Sequence, residues 1–254
     1  MLPPVTYDNR GPVAWVTIDR PEAHNALNAA VRRGLWDAFA RFNTDEQASV
    51  MVLTGAGDRS FCAGADLKEM AETELTVPPP DFIPQIGRNV KVAKPVIGAI
   101  NGACLGGGFL LAQGCDLLVA SSTATFGIPE VRVGRGSPWA LPLTTMVPRA
   151  IAMEILLTGQ PITAQRAYQV GLVNEITSPD ELVARAQSLG EIISSNAPLS
   201  VMAAKRTAYL LAGERMAQAF DEAEDLWRPV YLSSDAQEGP RAFKEKRRPI
   251  WRSR

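Results

Sequence analysis

Short runs of β-branched residues alternate with stretches of helical periodicity through the first half of this 254-residue chain, and that alternation narrows the fold more than any other feature. Val13–Ile18, Val50–Leu53, Val96–Ile100 and Leu117–Ala120 read as buried strands, while Ala29–Phe42 and Phe82–Ala93 carry apolar residues at helical spacing. Strands separated by helices require crossover connections. The expected α/β core is therefore a mostly parallel sheet covered by helices, extending to about Ile128. From Trp139 the pattern turns helical: Arg149–Leu157, Ala164–Val170, Pro179–Ser195, Leu199–Ala212 and Met216–Leu232 are patterned as amphipathic helices, with Thr163 and Ser178-Pro179 as start signals. Between them, Glu72–Pro84 holds three consecutive prolines at Pro78–Pro80 and cannot propagate a helix. Two readings of it stand, a substrate-side lid and a plain connector.

A net charge of -1 with 21% charged residues supplies no global field for nucleic acid or membrane, so an anion has to be bound locally. The basic tail Lys244, Lys246, Arg247, Arg248, Arg252 and Arg254 reads as an ordinary charged terminus, and no nucleic-acid partner is expected. Cys62, Cys104 and Cys115 lack the spacing of a disulfide framework or a metal site and read as reduced, buried thiols. No basic-then-apolar leader is present and no apolar run approaches the roughly 18 residues of a membrane span, so the expected location is cytoplasmic. The single histidine, His24, excludes most histidine triads and multi-histidine metal sites. Acid/base chemistry must then come from carboxylates, lysines or water.

Two glycine-flanked turns are candidates for that chemistry. The first is Phe61-Cys62-Ala63-Gly64-Ala65-Asp66-Leu67-Lys68-Glu69-Met70, where Gly64 permits an unusual backbone conformation and Asp66 is placed to cap the following helix. The N–H of Ala65 is then left free to face a ligand. The second is Asn101-Gly102-Ala103-Cys104-Leu105-Gly106-Gly107-Gly108, running into the apolar helix Phe109–Gln113. Helix starts carry unsatisfied N–H groups and positive partial charge, which favours an anion. Close packing of helix on strand is the alternative reason for those glycines. Two such donors converging on one oxygen form an oxyanion hole, each donor being typically worth roughly 3–4 kcal/mol in the transition state.

The blocks FCAGADLKEM, KPVIGAINGACLGGGFLLAQGCDLLVAS, ATFGIPEVRVG and LTGQPITAQRAYQVGLVNEI, preceded by RPEAHNALN, resemble in order the motifs of the crotonase (enoyl-CoA hydratase/isomerase) superfamily. The resemblance runs from about Val13 to the C-terminus. It implies a crotonase-like ββα spiral core over 1–195 and a helical C-terminal trimerisation region over 196–254, giving a homotrimer or hexamer. It also implies an acyl-CoA thioester as substrate, with coenzyme A entering only as part of it and no separate cofactor or metal. Oxyanion-hole donors are carried over to Ala65 and Gly107, and coenzyme A or substrate contacts to Ala23, Ala26, Ala63, Asp66, Leu67, Lys68, Leu110 and Trp139. For Lys68 a solvated helix charge remains the other reading.

The family's hydratases resemble one another in using two glutamates. The second matches Glu130 in Phe126-Gly127-Ile128-Pro129-Glu130, but Leu110 stands at the position of the first. Glu130 reads either as the catalytic acid/base or as a partner of Arg132 or Arg135. As a catalyst, desolvation against Leu110, Trp139 and Phe109 would raise its pKa toward neutrality. Water addition is easiest with two carboxylates, whereas one base suffices to move a double bond. The Δ3,Δ2-enoyl-CoA isomerases look similar here, with Pro138-Trp139 following, so isomerisation is the leading expectation. Hydration or hydration-linked cleavage is the alternative, since feruloyl-CoA hydratase-lyases also lack the first glutamate. A non-catalytic coenzyme A-binding protein is the third reading. Asp116 is expected to serve the buried strand beside it rather than catalysis. Glu72–Pro84 and Arg135–Pro142 are expected to wall an apolar acyl pocket with Phe82 and Trp139.

Overall fold

The computed structural model describes residues 3–210 and 213–252. The expected helix end at Ala212 and Arg254 of the basic tail lie outside the described residues. In chain order the elements are β1 (Val5–Arg10), β2 (Val13–Ile18), α1 (Ala29–Thr44), β3 (Val50–Gly55), β4 (Ser60–Cys62), α2 (Leu67–Thr73), β5 (Val96–Ile100), β6 (Ala103–Leu105), α3 (Gly107–Gln113), β7 (Leu117–Ser121) and β8 (Thr125–Gly127). There follow α4 (Leu143–Met146), α5 (Arg149–Thr158), β9 (Ile162–Thr163), α6 (Ala164–Gln169), β10 (Glu175–Thr177), α7 (Leu182–Ser194), α8 (Pro198–Leu210), α9 (Gly213–Leu232) and α10 (Ser234–Lys244).

The four runs read as strands form the centre of one sheet, ordered β1-β2-β3-β5-β7-β10, which is parallel except for the β1–β2 hairpin. Every residue of β3 and β5 is buried, as continuous apolar strands covered on both faces should be. A second sheet, β4-β6-β8-β9, is made of strands of two or three residues. Each central repeat thus supplies a long strand to the first sheet, a short strand to the second, and a helix. Among the described residues no helix is long and apolar enough to cross a membrane.

Phe82–Ala93 departs from the expected helix. Pro84 removes a donor, Gly87 adopts φ 88°, and Asn89 Oδ1 accepts the Gln85 N–H at 2.7 Å, so the segment closes into a local turn bridged between Ile86 and Val90. The apolar spacing there reflects a loop folded onto the core.

Asp116, just before β7, joins two elements: its Oδ2 accepts the Val96 N–H at 2.7 Å and Lys205 Nζ at 2.8 Å, and its Oδ1 accepts the Tyr209 hydroxyl at 3.1 Å. It thereby pins α8 to the start of β5. The C-terminal helices turn back over the chain's own core. Added to Gly239 of α10, a Cβ would lie 1.9 Å from Val133 O, so that helix rests directly on the 3-10 turn Pro129–Val133.

Candidate active site

The two glycine turns come together. A Cβ built on Gly64, which has φ 98°, would lie 3.3 Å from Gly107 N, and one built on Gly107 would lie 3.7 Å from Ala65 N. Gly64 is what allows the chain to turn at that contact. Asp66 caps α2 by accepting the Lys68 and Glu69 N–H groups, and it pairs with Arg20 at 3.2 Å, so its carboxylate is committed. Ala65 N and Gly107 N donate to no protein acceptor among the described residues. They are adjacent, unspent donors, one from the turn before α2 and one from the start of α3.

The alignment of the first turn depends on RPEAHNALN. Asn25 is fully buried, donates to Ala56 O at 3.0 Å and Ser60 O at 2.7 Å, and accepts the Arg20 N–H at 2.9 Å. The following residues pair with the turn through Leu27 N–H to Gly64 O at 2.8 Å and Asp66 N–H to Leu27 O at 3.4 Å. The glycine triplet of the second turn divides its labour. Gly108 lets α3 approach β4, since a Cβ there would meet Cys62 O at 2.2 Å, while Gly106, at φ 53°, leaves room for a Glu130 oxygen that lies 2.8 Å from where its Cβ would be. Packing and site geometry are both served by the same three residues.

Glu130 is the second residue of the 3-10 turn Pro129–Val133 after β8, and its Oε2 is buried without a protein partner. Burial pushes its pKa up to about 8, with its own backbone N–H and the Arg135 guanidinium pulling the other way. It forms no ion pair with Arg132, which is exposed, or with Arg135. Leu110 and Trp139 lie on the same cavity, whereas Phe109 turns into the core against Phe126, ring centroids 5.7 Å apart. The expectation that Phe109 helps desolvate Glu130 directly is therefore corrected.

The cavity has a volume of about 340 Å³. Of the residues singled out from the sequence, Ala63, Ala65, Leu67, Gly107, Leu110, Glu130 and Trp139 line it, and Val77–Pro80 with Phe82 form one wall. Ala23, Ala26, Asp66 and Lys68 lie outside it, and the Lys68 side chain is exposed. The loop forming that wall is tied down: Trp36 Nε1 donates to Asp81 O at 3.2 Å and Asn89 Nδ2 to Pro80 O at 2.8 Å. Sequence reasoning missed Gln85, Arg88 and the face of α9 carrying Glu224, Asp225, Arg228 and Tyr231. No local pattern marks them: Gln85 and Arg88 reach the cavity through the folded loop before β5, and the α9 residues through the fold-back of the C-terminal helices.

Residues 8–254 match the family model described as Enoyl-CoA hydratase/isomerase. The chain belongs to this family, within the crotonase superfamily. Among curated relatives, it is 40% identical to the (E)-benzylidenesuccinyl-CoA hydratase of Thauera aromatica, covering 98% of this chain and 99% of the relative. It is 39% identical to the carnitinyl-CoA dehydratase of Proteus mirabilis, covering 96% and 97%. The solved carnitinyl-CoA hydratase from Mycobacterium avium superposes with a TM-score of 0.90 at 39% identity over 100% of both chains. The chain is thus an enzyme of the crotonase superfamily with that superfamily's fold.

Proposed function

We propose that this crotonase-superfamily enzyme reversibly adds water across the α,β double bond of an enoyl-CoA thioester, with Glu130 as its single acid/base. The observation that carries the reading is the convergence of the free Ala65 and Gly107 N–H groups beside the buried, unpaired carboxyl of Glu130. In the hydration direction, ionised Glu130 takes a proton from water as the water oxygen bonds to the β-carbon. The π electrons move to the thioester oxygen, where two preorganised donors hold the enolate. Protonated Glu130 then delivers its proton to the α-carbon. Dehydration is the reverse.

Leu110 favoured isomerisation when weighed alone, since it leaves one carboxylate at the position of two. Relatives of 39–40% identity named as a hydratase and a dehydratase shift the balance to hydration. Incubating the protein with 2-enoyl-CoA and 3-enoyl-CoA substrates tests this. Formation of 3-hydroxyacyl-CoA from the former supports the reading, and conversion of 3-enoyl to 2-enoyl thioester without hydration would replace it by isomerisation. Ala23 and Ala26 backbone atoms and Lys68 are proposed contacts for the coenzyme A moiety outside the acyl cavity.

Self-association to a homotrimer or hexamer belongs to the same proposal, supported by exposed apolar side chains at Leu157, Ile192, Leu199 and Leu226. A monomer at micromolar concentration by analytical ultracentrifugation would rule it out.

A further inference from the structure

Arg135 is a buried cation, only 4% exposed, with no ion-pair partner among the described residues, although the Glu130 carboxyl is near enough for the two charges to influence each other. Nη1 donates to Leu75 O at 2.9 Å and Nη2 to Thr76 O at 2.9 Å, which fixes the plane of the guanidinium. The Tyr231 ring lies 5.1 Å from its central carbon, and that ring is held by its own hydroxyl donating to Gly136 O at 2.9 Å. Of the five N–H bonds of an arginine, the one on Nε has no partner at all. A buried cation without a counter-ion is costly, and a fold that keeps one in a rigid frame gains most when an anion arrives.

That anion has to come from the acyl end. Arg135 lines the cavity together with Glu130, Trp139 and Tyr231 and is nearly buried, whereas Lys68, the proposed coenzyme A contact, is exposed outside the cavity. The other cations on the cavity are differently placed. Arg88 is already paired with Glu224, and Arg228 is exposed on α9 next to the equally exposed Asp225. Gln85, 3% exposed, donates through Nε2 to Trp139 O at 3.2 Å and keeps Oε1 without a partner, so the cavity wall it shares with Trp139 is partly polar rather than purely apolar. We propose that the enzyme's substrate is an enoyl-CoA whose acyl group bears a carboxylate, and that Arg135 is the residue that recognises it. This rests on the hydratase reading but selects the substrate class within it, and it amends the expectation of a wholly apolar acyl chain.

The test is a comparison of hydration rates for (E)-2-enedioyl mono-CoA thioesters of increasing chain length with their monomethyl esters. The wild-type enzyme should prefer the free acid over the ester in kcat/KM by on the order of 10- to 100-fold at the fitting length, the range of one buried charge-assisted hydrogen bond. In Arg135→Gln that ratio should collapse toward one, and Arg135→Lys should recover part of it. Because each ratio is taken within one sample, partial unfolding of a variant cancels, and the wild-type ratio stands if a variant does not fold. A wild-type ratio at or below one at every length, with neutral enoyl-CoA hydrated well, would overturn the carboxylate assignment and leave the hydratase reading intact. An equal loss in Arg135→Gln for acids, esters and free coenzyme A would also overturn it, by assigning Arg135 to the nucleotide or to the loop. No hydration of either series, with calorimetry still showing tighter binding of the acids, would instead sink the hydratase reading and keep the assignment.

Discussion

Glu130 has no protein partner for one buried oxygen, and most of the chemistry follows from that. With a pKa raised to about 8 it is largely protonated at neutral pH, whereas the proposed reaction needs its ionised form in both directions. The pH profile of kcat/KM should therefore rise toward a plateau above about 8, and Glu130→Gln should lower turnover by roughly 100- to 10,000-fold. A profile already flat from pH 5 upward would contradict the environment described. Linkage supplies a second readout with a definite sign. Because the folded-state pKa exceeds the ordinary value of 4.5, the folded protein binds more protons, so this group's contribution to stability is full at low pH and is lost as pH rises through about 8. Glu130→Gln should thus melt higher than the wild type at pH 9 and show no such advantage at pH 4. Next to it, Gly106→Ala would set a Cβ 2.8 Å from the Glu130 oxygen in a backbone conformation unfavourable to alanine. A displacement of the carboxyl by a few tenths of an ångström up to 1 Å should reduce kcat by on the order of 100-fold, measurable with little change in the far-ultraviolet spectrum.

At the scale of elements, the site depends on contacts made by segments that do no chemistry. Asn25 holds the loop before α1 against β4, and Asn25→Ala would leave the part-buried Ala56 O without its side-chain donor and Ser60 O with Asn101 alone, at roughly 1–3 kcal/mol in all. Denaturant unfolding should show that loss, and activity should fall further than stability accounts for, since the same loop sets the Ala65 turn. Gly239→Ala tests the other side, where α10 bears on the turn that starts with Pro129 and Glu130. Forcing a Cβ against Val133 O should cost about 1–3 kcal/mol and shift the pH profile, because Glu130 moves with its turn. Much of this architecture was legible beforehand. The continuous apolar runs of β2, β3, β5 and β7, the cap at Asp66 and the glycine turns follow from local periodicity and backbone chemistry. Phe82–Ala93 was misread because apolar spacing alone does not register a proline at 84 and a glycine at 87 acting together.

The whole molecule closes its cavity with residues far apart in sequence: Ala65 and Gly107 on one side, Phe82 and the prolines before it on another, and α9 across them. An acyl-CoA ligand should therefore couple these regions. Amide exchange in Leu67–Met70, Phe82–Gln85 and Glu224–Tyr231 should slow together on adding a non-hydrolysable acyl-CoA, while exchange in the buried central strands stays unchanged. Unaltered exchange in Glu224–Tyr231 would show that α9 does not close the cavity in solution. Sequence alone determined the superfamily, the two glycine-flanked turns and the retention of Glu130 opposite Leu110, because these are carried by short motifs whose chemistry is local. Only the tertiary structure decided the burial that raises the Glu130 pKa and the lack of an ion-pair partner for Arg135. Both are set by what is absent around a buried group, and which distant segments fail to supply a counter-charge is a property of packing that no local pattern records.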